Sequence, residues 1–298
     1  MSPSFAARCI RDPDPKIEAL AYHRLGTIVQ EQRDFAVACA WYLKSLEISE
    51  TQGIEEYAAG TYHQLGMIAQ EQREFAAARE WHLKSVAIDE KRGNLRGVAM
   101  SYHQLGMMAH QEGDLAAARD WTLKSLAIKE EQGDLWGAAT SYHQLGMVAE
   151  AERNYAAAQE WYLKALAIDE RQDNLHDAAD TWNQLGVLAQ EQQDFAAARE
   201  WYLKSLALSE KRGDLHSAAS TYGQLGILAG VQGSFEDSGK WLVHCIGAFL
   251  KTHDQPSAER NIRNFIRSCQ HASPADEQKL EAIWRDANLG PFPMEPNE

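Results

Sequence analysis

The dipeptide Leu-Gly stands at Leu25-Gly26, Leu65-Gly66, Leu105-Gly106, Leu145-Gly146, Leu185-Gly186 and Leu225-Gly226, a period of 40 residues without insertion or deletion. Tryptophan keeps the same step at Trp41, Trp81, Trp121, Trp161, Trp201 and Trp241, and the segments TYHQLGMIAQEQREFAAAREW from Thr61 and SYHQLGMMAHQEGDLAAARDW from Ser101 are near copies. So strict a period dictates a stacked array whose units touch chiefly their neighbours, and ordinary size rules for globular domains do not apply to the 298 residues.

In the second unit Tyr62, Leu65, Ile68 and Ala69 fall at spacings of three and four, which predicts an amphipathic helix A from about Glu55 to Gln72. Gly113-Asp114 and Arg153-Asn154 mark the breaks between helices in later units, with Asp or Asn placed to cap the helix that follows. Helix B is expected over Phe75–Lys91, with Phe75, Ala78, His82 and Ser85 on one face, Trp81 and Ile88 extending the apolar arc to one side and Leu83 to the other. Gly53, Gly93, Gly133 and Gly213, replaced by Asp173 in one unit, supply left-handed residues to end helix B. A glycine within a helix costs about 1 kcal/mol relative to alanine. Its recurrence at Gly66 and the equivalent positions predicts that helices A and B bring their backbones together there, opposite Ala78.

These residues resemble the tetratricopeptide repeat (TPR): an aromatic, Leu-Gly and a small residue in helix A, then Ala, an aromatic and a small residue in helix B. The second unit supplies Tyr62, Leu65-Gly66, Ala69, Ala78, His82 and Ser85, and Tyr162 and Tyr202 restore the aromatic later. The resemblance spans residues 15–253. Its unit is longer than the usual repeat and lacks the Pro that ends helix B, which makes it similar to the long-helix repeats of Pins/LGN adaptors, kinesin light chain and bacterial STAND-type ATPases. The close match among copies and the Trp in helix B lean toward the bacterial arrays.

The resemblance implies an all-α, right-handed α-solenoid of six helix pairs, with helix A on the concave wall. The family's groove positions carry over to His63, Gln64, Met67, Gln70 and Glu71, then His103, Gln104, Met107 and His110, then His143, Gln144, Met147 and Glu150. In the fifth unit they become Asn183, Gln184, Val187 and Gln190, and in the sixth Gly223, Gln224 and Ile227. The Gln ladder can donate to and accept from an extended peptide backbone, and the Met ladder offers an adaptable apolar surface. Arg24, Asn183, Gly223, Trp136 and Trp182 break the repetition, and Gly223 is expected to widen the groove at its C-terminal end.

Outside the repeats, residues 1–14 form an N-terminal stub, 254–290 a C-terminal helical cap and 291–298 a disordered tail. The cap is expected to hold helices near Ser257–His271 and Pro274–Asn288, with Ile262, Phe265, Ile266, Leu280 and Trp284 covering Trp241, Ile246 and Phe249 of the last helix B. The short stub is compatible with descent from a longer protein carrying an effector or ATPase upstream.

The formal net charge of −14, from 43 acidic and 29 basic residues, repels phosphate backbones and anionic lipid, so nucleic acid and membrane are not expected partners and a basic or zwitterionic peptide is easier to accommodate. No apolar run approaches the roughly 20 residues of a membrane span, and the start lacks a signal-peptide pattern, which gives a cytoplasmic expectation. Cys9, Cys39, Cys245 and Cys269 have no metal-ligand or disulfide spacing. His103, Met107 and His110 share a face without a HxxxH pair or a carboxylate, Ser85, Ser125 and Ser205 occupy packing positions, and no GxxxxGK[ST] loop occurs. Neither enzyme chemistry nor a cofactor is expected. The expected role is a protein or peptide interaction scaffold binding in the concave groove; the alternative is a sensor arm controlling an attached effector such as a STAND-type ATPase.

Overall fold

The computed structural model describes residues 14–172 and 174–293. Cys9 and nearly all of the stub, the helix-ending Asp173 and the last five residues of the expected tail lie outside the described residues. The described residues form fourteen α-helices and no strand. They fall into two compact units, 1–152 and 153–298.

The first unit holds α1 (Pro15–Glu31), α2 (Phe35–Thr51), α3 (Glu55–Glu71), α4 (Phe75–Arg92), α5 (Leu95–Glu112), α6 (Leu115–Glu131) and α7 (Leu135–Ala151). Odd-numbered helices are helices A. Side-chain caps mark most of the helix starts, although Ile54 and Glu74 supply none and α3 and α4 are of similar length. Asp34 accepts from the Val37 N–H, Asn94 from Gly97, Asp114 from Ala117 and Asp134 from Gly137, at 2.9–3.3 Å. Caps of this kind contribute about 1 kcal/mol each. Their 20-residue spacing divides the repeat into equal halves of one helix and one turn. Left-handed residues close the turns, among them Gly53, Gly93, Gly113 and Gly133, but also Arg33 and Arg73.

The core lies between helices of successive pairs. Ala38, Tyr42 and Leu46 of α2 pack on Ala58, Tyr62, Leu65 and Ile68 of α3. Ala69 and Ala78 pack with Leu105 and Met108, and Ala109 and Ala118 with Val148. The mid-helix glycines work differently from the sequence expectation. A Cβ at Gly66 would stand 2.7 Å from the His82 ring, one at Gly26 would stand 2.6 Å from the Tyr42 ring, and one at Gly106 would stand 2.5 Å from Thr122 Oγ1. The glycine is therefore a slot for the side chain one turn beyond the helix B alanine, because helical side chains lean toward their own N-terminus. Backbone joins the contact at Gly106, where Ala118 O would lie 3.3 Å from the added atom. Leu83, expected at the edge of the apolar arc, is exposed together with Leu43 and Leu123 on the outer surface.

At the edge of this core the buried Tyr62 stacks on the half-buried Trp81 with ring centroids 5.5 Å apart, and Lys84 Nζ lies 4.6 Å from the Trp81 ring centroid. The same row of tyrosines ties each pair to the one before. Tyr62 donates to Glu50, and Tyr102 to Glu90 at 2.8 Å.

The second unit holds α8 (Tyr155–Arg171), α9 (Leu175–Glu191), α10 (Phe195–Arg212), α11 (Leu215–Val231), α12 (Phe235–Lys251), α13 (Gln255–His271) and α14 (Pro274–Asp286). Asn154, Asp194, Asp214 and Asp254 continue the caps. Ala198, Tyr202 and Leu206 pack with Leu225 and Leu228, and Trp241 joins this cluster. Leu242, Ile246 and Phe249 of α12 are covered by Phe265, Leu280 and Trp284, with Ile262 and Ile283 at the margin; Ile266 takes no part. Trp284 Nε1 donates to the carbonyls of Gly290 and Pro291, and the Phe292 ring centroid lies 6.3 Å from that of Phe265.

Candidate functional site

Within the first unit successive helices A touch one another, while successive helices B do not approach as closely, so helices A line the inner side. Hydrogen bonds along the His row join successive helices A at the first two steps. His23 Nδ1 is bonded to Thr61 Oγ1 at 3.0 Å and His63 Nδ1 to Ser101 Oγ at 3.3 Å. Burial lowers the pKa of both; Arg24 adds to the effect at His23, and Asp89 opposes it at His63. His63, expected from sequence to line the groove, and His23 thus each hydrogen-bond to the following helix A. His63 also meets the edge of His82, which is fully buried and, through burial and the His63 ring, held at about 3.

The third pair breaks this pattern. Ser141, the residue His103 would reach, receives a hydrogen bond at 2.9 Å from Lys129 Nζ instead. Lys129 is only 7% exposed, and burial lowers its pKa while Asp134 opposes the shift. His103 Nδ1 is buried without a hydrogen-bond partner. Burial and then the Lys129 ammonium hold His103 at about 4. The Gln144 amide lies close enough to oppose that shift, yet its geometry is not that of a regular hydrogen bond.

The remaining sequence-derived positions divide by exposure. Gln64, Met67, Gln70, Gln104, His110 and His143 are half-buried, Met107 and Met147 are exposed, and Gln144 is buried against Gly106. In the second unit Asn183 Nδ2 donates to Thr221 Oγ1 at 3.1 Å, repeating the histidine bond with an amide, while Gln184 and Gln224 are half-buried. Gly223 does not open a space. Asn261 Oδ1 and Cys245 Sγ would lie 3.1 and 3.2 Å from a Cβ there, because α13 fills the position a seventh helix A would take.

A cavity of about 600 Å3 opens on the inner side of the first unit between α5 and α7, with Lys129 of α6 at its wall. Arg96, Met100, His103, Lys129, Asp134 and Trp136 line it. Trp136 is 60% and Met100 48% exposed, large values for apolar side chains in regular helices. Sequence reasoning singled out Trp136 but missed Arg96 and Lys129. The available signal was Lys129 itself, the one base in a row otherwise made of Ser49, Asp89, Asp169, Ser209 and Phe249.

The hydroxyls of Ser85 and Ser125 donate to the carbonyls of Ala59 and Ala99 at 3.0 and 2.8 Å, which makes them packing bonds between paired helices. Among the described residues no group of three His, Cys, Asp or Glu could hold a metal ion, and no helix is long and apolar enough to cross a membrane.

Repeated helix pairs, with a half-polar inner row and a core shared between neighbours, define a helix-pair repeat protein. The chain belongs to the tetratricopeptide-repeat family, whose pattern matches residues 17–91, 97–171 and 177–250. No curated protein matches the sequence. Among solved structures, the STAND protein with a tetratricopeptide repeat sensor from Pyrococcus horikoshii is similar at a TM-score of 0.73 and 15% identity, over 96% of this chain and 44% of that one. A Rap protein complexed with competence and sporulation factor gives 0.59 and 14%, over 94% and 80%. The kinesin light chain repeats of Podosopora anserina give 0.57 and 18%, over 67% and 99%. At these identities the likeness is one of fold.

Proposed function

We propose that this chain is a non-catalytic interaction scaffold whose helices A hold a peptide or protein segment. The observation that carries the reading is the inner row of the first unit, where Met107 and Met147 are each 37% exposed beside half-buried Gln64 and Gln104. The core needs none of these four side chains. Methionine adapts to varied apolar partners, and glutamine serves both N–H and C=O groups of an extended backbone. The Rap protein named above was solved with a bound factor, which supports a ligand-holding use of such arrays. In a longer protein the same binding would make a sensor arm, as the name of the Pyrococcus protein describes, and this chain spans 44% of that protein.

Affinity capture with mass spectrometry identifies the partner. Changing Gln64 and Gln104 together to Ala is then expected to weaken binding by about 1–3 kcal/mol with the fold intact. If binding is unchanged, while Lys124→Glu on the outer surface abolishes it, the inner row is not the binding face.

A further inference from the structure

The sixth helix pair departs from the others where its helix A ends. Each earlier pair carries two polar side chains at the equivalent places: Gln30 with Tyr42, Gln70 with His82, His110 with Thr122, Glu150 with Tyr162, and Gln190 with Tyr202. In the first and fifth pairs the slot-filling tyrosine reaches its partner, Tyr42 donating to Gln30 Oε1 at 2.8 Å and Tyr202 to Gln190 Oε1 at 3.3 Å. The sixth pair has Gly230 and Leu242 instead, so both ends of that contact are gone. The residue that follows, glutamate at Glu31, Glu71 and Glu191, is Val231, and it is 60% exposed. A cavity of about 410 Å3 lies there among α11, α12 and α13, and Gly230, Val231 and Leu242 all line it. Its volume falls within the range of about 300–1,000 Å3 that small-molecule sites occupy.

We propose that this cavity binds a small aromatic alcohol, its ring taken by the apolar walls and Arg267 and its hydroxyl by Asn264 or His271. The inference is independent of the peptide-holding reading above. Ile227, Val231, Phe235 and Leu242 supply apolar walls. A Cβ at Gly230 would stand 3.2 Å from Ser238 Oγ and 3.4 Å from Ser268 Oγ, and these two hydroxyls satisfy each other at 2.9 Å, so that side asks for no polar partner. The remaining polar side chains all come from α13, the helix that stands where a seventh helix A would. Arg267 forms no ion pair among the described residues, and its planar guanidinium, like the Phe235 ring, suits the face of an aromatic ligand. Asn264 Nδ2 donates to Asn261 Oδ1 at 3.3 Å, and His271 Nδ1 donates to the Arg267 carbonyl at 2.8 Å. Asn264 Oδ1 and, in the neutral ring, His271 Nε2 are left as acceptors. A hydroxyl can give its proton to such an acceptor and accept from Arg267 at once, which a carboxylate cannot do.

The test is titration of β-naphthol into the full chain with isotope-labelled methyl groups, followed by NMR. Expected are saturable shifts of the Ile227 and Leu242 methyl signals, with a Kd of about 0.1–1 mM for a ligand of about eleven non-hydrogen atoms. Val231→Glu and Leu242→Tyr are the variants, because Glu191 and Tyr202 occupy the equivalent positions and the helix pairs accept them. The first puts a charge at the mouth of the cavity, and the second extends a ring toward residue 230, as Tyr202 extends toward Gln190. Each is expected to weaken binding about tenfold or more, with circular dichroism unchanged. Decahydro-β-naphthol, the saturated counterpart, has no flat face for Arg267 and Phe235 to cover and is expected to bind about five- to tenfold more weakly. Absence of saturable shifts overturns the proposal, as does unchanged affinity in Val231→Glu, whose exposed position keeps this test valid even if Leu242→Tyr fails to fold. Equal binding of the saturated alcohol overturns the aromatic assignment on which it stands. None of these outcomes bears on the peptide-holding reading.

Discussion

Gly186→Ala separates the slot account of the repeated glycines from simple helix propensity. The added methyl would stand 2.5 Å from Cδ1 and Cε1 of Tyr202 and 3.0 Å from its Cζ. The Tyr202 ring is fully buried among Leu206, Leu225 and Leu228 and has nowhere to retreat. Alanine gains about 1 kcal/mol over glycine within a helix. Overpacking of a filled core costs about 1–3 kcal/mol. The net expectation is destabilisation by about 0–2 kcal/mol. Gly247 of α12 is the control, since a Cβ there would meet nothing within 4 Å, so Gly247→Ala should stabilise by about 1 kcal/mol. Tyr202→Ala empties the slot at a cost of about 3–5 kcal/mol, and in that background Gly186→Ala should itself stabilise by about 1 kcal/mol. Urea denaturation followed by circular dichroism reads the totals, and hydrogen exchange at α9 and α10 localises them. The reasoning is refuted if Gly186→Ala stabilises the parent as Gly247→Ala does, or if its effect is the same with and without the Tyr202 ring.

His82 and His103, held at about 3 and about 4, are neutral in the folded chain and take up protons near 6.5 once unfolded, so their contribution is complete above about 6.5 and is lost as pH falls toward 4 and 3. Asp169, raised to about 6 chiefly by burial, acts in the opposite sense between 3.8 and 6, where rising pH reduces stability. His82→Tyr, the residue found at Tyr42, Tyr162 and Tyr202, should flatten the loss of urea midpoint between pH 7 and pH 5; an unchanged slope contradicts the assignment to His82. Cutting the chain after Asp254 uncovers Leu242, Ile246 and Phe249 and is expected to leave helicity near the parental level while causing self-association on a sizing column. A monomeric, soluble truncation would show that α13 and α14 do not serve as a cap.

Much of the fold was legible because a fixed period lets one helix pair stand for six. Helix bounds were readable from the Asp and Asn caps, as Asp114 and Asn154 show. The partner of Gly66 was not. Ala78 and His82 lie one turn apart on one helical face, and which of them fills the slot depends on the lean of the side chain, which spacing does not express. Leu83 was misplaced for a related reason, since a leucine at the margin of an apolar arc can turn to either side and here turns outward.

The inner row was harder to read, and the reason is physical. Histidines at 23, 63 and 103 are identical in sequence but not in circumstance, because each answers to a hydroxyl 38 residues further on. His23 and His63 meet Thr61 and Ser101 and become part of the scaffold. At the third step a single residue on the paired helix, Lys129, takes the Ser141 hydroxyl, leaving His103 Nδ1 without a partner beside an open cavity. A ladder of identical side chains therefore cannot be assigned one role by counting positions. What sets a rung apart is the departure from repetition in the residues around it, and Arg96, Lys129 and Trp136 converge on the only rung of the first unit's described histidine bonds that a lysine interrupts.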